Sequence, residues 1–113
     1  MNLRVFACAL ACVAAPASAH AFLDRANPGA GAALHAAPRT LMLTFSDDLD
    51  AQSSGVVVVD ASGHSVAGRA IVSGDCIMAP LQPLAPGKYR VMWHAMSDDD
   101  HRTQGSYEFA IRP

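Results

Sequence analysis

Cysteine is almost missing from the part of this chain that can build a domain. Of the three cysteines, Cys8 and Cys12 lie in an apolar leader and only Cys76 follows it. No internal disulfide can then staple the fold, and its stability must come from an apolar core. Basic charge is also short, with eight Lys and Arg against ten Asp and Glu, which excludes the electrostatic footprint of a protein that binds nucleic acid or anionic lipid. Aromatics are few: one Trp, two Tyr and four Phe. That is too little for the broad aromatic face with which polysaccharide-cleaving enzymes grip their substrates. Catalytic signatures are missing too. There is no Gly-x-Ser-x-Gly elbow, no phosphate-cradling glycine loop and no His-Glu-x-x-His helix, so hydrolase and nucleotide chemistry lose their support and no enzyme is expected.

What is present begins with a secretory leader over residues 1–19. Arg4 supplies the positive region, "VFACALACVAA" the apolar region, and Ala17 and Ala19 the small residues of a cleavage site. The run is too short to span a membrane, and no second run of spanning length follows. Cys8 and Cys12 fall inside the apolar region, without the usual apolar lead-in followed by small residues just before a lipid-modified cysteine. Cleavage after Ala19 leaves 113 − 19 = 94 residues, enough for one small domain, 20–113. Seven of the eight basic residues and all ten acidic ones remain, a formal charge of 7 − 10 = −3. The expected location is the periplasm, without direct insertion of the mature chain into a membrane.

No stretch keeps apolar residues at helical spacing over three turns, so the domain is expected to be all-β. "TLMLTFS" (40–46) alternates Leu41, Leu43 and Phe45 against Met42 and Thr44, and "GVVVVD" (55–60) is β-branched and runs into the turn "DASGH". "SVAGRAIV" (65–72) and "CIMAPL" (76–81) read as two further strands around a break at Ser73-Gly74-Asp75. "GKYRVMWHAM" (87–96) places Tyr89, Val91, Trp93 and Ala95 on a core face and Lys88, Arg90, Met92, His94 and Met96 on the other. "GSYEFAI" (105–111) closes the series. Short strands at even spacing suggest a sandwich or small barrel, and "LAPGKY" (84–89), a Tyr just after a Pro-Gly turn, resembles the tyrosine corner of Greek-key sandwiches.

Polar chemistry concentrates in "SDDDHRTQG" (97–105). A charge run in a loop is most often a solvated turn, but in an extended segment Asp99 and His101 fall on one side and their donors can converge on one ion. The stretch "PASAHAFLD" (16–24) adds a second element, because cleavage after Ala19 makes His20 the first residue. Its α-amine and Nδ1 would then close a six-membered chelate ring. With His101 this gives three nitrogens, and with Asp99 a carboxylate. A near-planar set of that kind suits Cu(II), which leads the Irving–Williams order and prefers tetragonal geometry.

These residues resemble the CopC family of periplasmic copper-resistance proteins over nearly the whole mature chain. The resemblance rests on the histidine start, "NPGAGA", "LTFSDDLD", "PLAPGKYRVMW", and "SDDDHRTQGSYEF", which follows the family's Ser-x-Asp-x-His-x-x-x-Gly-x-x-x-Phe signature. It implies an Ig-like Greek-key β-sandwich and one Cu(II) held by His20, Asp99 and His101, with Asp47 where an acidic residue can lie near the metal. It also implies an inner-membrane copper transporter of the CopD type as partner.

One departure from the family pattern is the missing Met-rich loop, so Cu(I) is expected to bind only weakly. Met42, Met78, Met92 and Met96 are scattered on strands, where thioethers usually fill core gaps. Cys76 with Met78, and Met92 with His94 and Met96, share strand faces as soft donors. His35 and His64 read as loop or turn positions. Two rival readings are a histidine-brace copper oxidase and an Ig-like structural module without metal function.

Overall fold

The computed structural model describes residues 21–113. The expected leader and His20 lie outside the described residues. Eight strands follow in chain order: β1 (Leu23–Asn27), β2 (Ala33–Leu34), β3 (Thr40–Phe45), β4 (Gly55–Asp60), β5 (Ile71–Ser73), β6 (Cys76–Pro80), β7 (Gly87–Met96) and β8 (Arg102–Ile111). They form two four-stranded sheets, ordered β1-β3-β6-β5 and β2-β8-β7-β4. This is the expected all-β sandwich. All pairings are antiparallel except that of β2 with β8.

Alternation decides what each strand buries. Leu41, Leu43 and Phe45 of β3, Ile77 and Ala79 of β6, Val56 and Val58 of β4, Tyr89, Val91 and Ala95 of β7, and Phe109 and Ile111 of β8 meet between the sheets. Each large apolar side chain fully withdrawn from water there contributes about 1.5–3 kcal/mol. Trp93 is packed against this core without being fully buried, and its ring meets Phe45 edge-on at 5.2 Å. The Tyr89 hydroxyl donates to the carbonyl of Ala85, four residues upstream, which makes the tyrosine corner real.

The strands differ from the sequence reading in several places. The stretch 65–72 is not a strand: only 71–73 is, and before it Ser65 and Ala67 make isolated bridges to Val59 and Leu81. Val66 donates to Val58 of one sheet and accepts from Gln82, just beyond the other. The chain is crossing between sheets here and belongs to neither ladder. β1 and β2 were not expected, since "LDRAN" lacks alternation and β2 has two residues. β8 starts at Arg102 rather than Gly105, because its ladder with β7 runs unbroken from Met96–Arg102 to Gly87–Ile111. That extension shortens the acidic loop and fixes its ends.

Candidate metal centre

With Met96 paired to Arg102, the loop between β7 and β8 is only residues 97–101. The Ser97 N–H donates to the His101 carbonyl at 3.0 Å, which closes a three-residue loop of Asp98, Asp99 and Asp100. Hairpins of this length commonly place the last loop residue in the left-handed region. Asp100 has φ 67°, and its N–H donates to Ser97 at 3.0 Å. Aspartate tolerates that conformation better than most side chains, so the sequence suits the turn it makes.

The turn brings Asp99 and His101 together, as their spacing suggests. Asp99 Oδ2 lies 3.0 Å from His101 Nδ1, with both side chains about half exposed. Beneath them is Ser97, a polar residue only 1% exposed. Its hydroxyl donates to Asp99 Oδ1 and also contacts the His101 carbonyl at 3.3 Å. The hydrogen bond from Ser97 holds the Asp99 carboxyl below the usual range. Desolvation opposes this, and the hydrogen bond and charge of His101 reinforce it. Asp99 therefore stays an ionised oxygen donor beside an imidazole, a pairing that also orients the ring.

Two tethers fix where the chain enters the fold. Thr103 Oγ1 donates to the Ala21 carbonyl at 2.6 Å, and Ala21 has no exposed surface. Phe22 N donates to Ser46 Oγ at 2.9 Å, while Ser46 N donates to the Phe22 carbonyl at 2.8 Å. The segment after β3 is tied in turn to the acidic hairpin, with Leu49 bridging Ser97 and Asp50 N donating to the Met96 carbonyl. The start of the described chain, the 46–50 segment and the Asp99–His101 pair thus share one end of the sandwich.

Asp47 sits on that 46–50 segment, exposed, with Oδ1 accepting the Asp48 N–H at 2.9 Å. It is not gathered with Asp99 and His101: among the described residues no three His, Cys, Asp or Glu side chains converge as a metal-holding group. His94 is exposed on the outer sheet face, and His64 pairs with Asp60 at 3.6 Å in a separate turn. Ser97, Thr103 and Ser46 are the residues sequence reasoning passed over. The signal for Thr103 was available in its register, since it shares the inward face of β8 with Tyr107, Phe109 and Ile111, where a hydroxyl needs a partner.

A profile of the CopC domain matches residues 23–112. The chain belongs to the CopC family. The copper resistance protein C of Pseudomonas syringae pv. tomato is 36% identical over 110 residues, covering 88% of this chain and 86% of that protein. Protein YobA of Escherichia coli K12 is 33% identical over 99 residues, covering 83% and 80%. The crystal structure of CopC from Methylosinus trichosporium OB3b superposes with a TM-score of 0.78 at 29% identity, covering 83% of this chain and 95% of that one. No helix among the described residues is long and apolar enough to cross a membrane, in keeping with the two-sheet CopC fold.

Proposed function

We propose that this CopC-family chain is a periplasmic copper-binding protein, without catalytic activity, that carries one Cu(II) as cargo. Cleavage after Ala19 frees His20, whose α-amine and Nδ1 chelate the ion, with His101 as third nitrogen, Asp99 as carboxylate and Asp47 in the outer surroundings. The chain stores the ion or hands it to an inner-membrane transporter of the CopD type. The observation that carries this reading is the pair of tethers at Ala21 and Phe22. The Ala21 carbonyl is bonded to Thr103, two residues after His101, which brings the start of the described chain to the hairpin. The names of the relatives, copper resistance protein C among them, support copper as the cargo. Three nitrogens and a carboxylate favour Cu(II) over Zn(II).

Intact-mass analysis of exported protein tests the start at His20. Competition titration then tests the ligands. One extra residue before His20 removes the amine from the chelate ring and should cost about a hundredfold or more in Cu(II) affinity. His101→Ala should cost a comparable amount, and Asp99→Ala more than Asp47→Ala. Equal affinity for Zn(II), or an extended chain that binds as tightly as the native one, would overturn the reading.

A further inference from the structure

The sequence presents its sulfur atoms as scattered, but the fold collects three of them. Alternation in β3 and β6 turns Leu41, Leu43, Phe45, Ile77 and Ala79 into the core and leaves Met42, Cys76 and Met78 facing outward. In the β3–β6 ladder Met42 stands directly opposite Met78, while Cys76 is opposite Thr44, diagonal to Met42 and two residues from Met78. Directly opposed residues hold their Cβ atoms about 4.5–5.5 Å apart and diagonal ones about 7–8 Å. Two methionine stems, each with three rotatable bonds, close those gaps easily.

Neither methionine fills a core gap. Met42 is 39% exposed and Met78 is 40% exposed. Cys76 is half-buried, its Sγ 3.4 Å from Asp75 Oδ1 and 3.7 Å from Thr44 Oγ1, so polar neighbours hold the thiol at the surface of the sheet. We propose that Met42, Cys76 and Met78 form a sulfur-only site for a soft monovalent cation, Cu(I) or Ag(I). One thiolate and two thioethers are the donors such ions prefer. On binding, the Cys76 S–H releases its proton to solvent as the sulfur–metal bond forms, and no electron moves. Arg25 stands across from Thr44 in the β1–β3 ladder, and Coulomb repulsion from it weighs twice as heavily on a dication as on a monocation. The site shares no residue with the Cu(II) ligands. It does adjoin their end of the sandwich, because Phe45 and Leu49 donate to Asp75 and Gly74 in the turn before β6.

The test is anaerobic competition of the mature protein against a Cu(I)-specific chelator, with a parallel Ag(I) titration read by native mass spectrometry. It is run on wild type, Met42→Leu, Met78→Leu, Cys76→Ser and His101→Ala. Wild type and His101→Ala should each retain one equivalent of Ag(I). Each leucine variant should bind Cu(I) about tenfold more weakly and Cys76→Ser about a hundredfold, since lost ligands cost at least what lost outer-sphere partners do. Cu(II) affinity should be unchanged in all three sulfur variants, which separates this site from the nitrogen site. The proposal is overturned if Cu(I) binding follows His101, if both leucine variants bind like wild type, or if wild type yields its Cu(I) to the chelator as readily as Cys76→Ser does.

Discussion

Replacing Thr103 by valine keeps the branched shape that suits a strand and deletes one hydrogen bond, from Oγ1 to the Ala21 carbonyl at 2.6 Å. Ala21 has no exposed surface, so its carbonyl is left without water as well as without its partner. The net loss from an ordinary hydrogen bond is about 0.5–1.5 kcal/mol, and an orphaned buried acceptor costs about 1–3 kcal/mol. The metal-free protein should therefore lose about 1–2 kcal/mol, a fall in melting temperature of about 4–8 °C per kcal/mol for a domain of this size. The entering segment is no longer docked before the metal arrives, so copper binding must itself order it. At 1.4 kcal/mol per factor of ten, Cu(II) affinity should drop about tenfold. Thr103→Ser retains the hydroxyl and should recover most of both losses. Calorimetric melting of the metal-free form and Cu(II) competition titration give the two readouts. If Thr103→Val melts earlier yet binds Cu(II) as tightly as wild type, the entering segment is not part of the site.

Other expectations follow from the same geometry. A Cβ placed on Gly105 would lie 2.6 Å from Trp93 Cζ2, so Gly105→Ala must displace the indole; it should cost about 1–3 kcal/mol in denaturant unfolding and shift Trp93 fluorescence. The Tyr107 hydroxyl donates to the Pro28 carbonyl, and burial pushes its pKa up to about 12. An unfolded chain releases that proton near pH 10, so the contribution to stability is complete below pH 10 and is lost as pH rises towards 12. Ultraviolet titration should show one tyrosine ionising late, and Tyr107→Phe should flatten that part of the stability profile. Cu(II) affinity should fall as pH drops from neutral to mildly acidic, because protons compete with the metal for imidazole and α-amine nitrogens; a flat profile would argue against nitrogen ligands.

Alternation was legible because a half-buried strand writes its two faces directly into the residue order. Tyr89, Val91 and Ala95 were assigned to the core from the sequence, and the alternation of Leu41, Leu43 and Phe45 read there is the one the fold buries. The tyrosine corner and the Asp99–His101 pair were likewise local, each held within a few residues of chain. So was the match of "SDDDHRTQGSYEF" to its family. Local patterns carry no information about which strand lies beside which. The crossing at 65–70 failed as a strand because its hydrogen bonds go to two different sheets, and the short β1 and β2 exist only because β3 and β8 offer them edges.

The sequence by itself determined an all-β domain with an exposed Asp-x-His hairpin. Tertiary structure alone decided three matters. It tied Ala21 to Thr103, 82 positions away, and Phe22 to Ser46, so that the entering chain and the hairpin meet. It left Asp47 on a neighbouring segment outside the Asp99–His101 pair. It set Met42 opposite Met78, 36 positions on, turning scattered thioethers into neighbours. The physical reason is common to all three: register between strands distant in sequence follows from how two inner faces pack together.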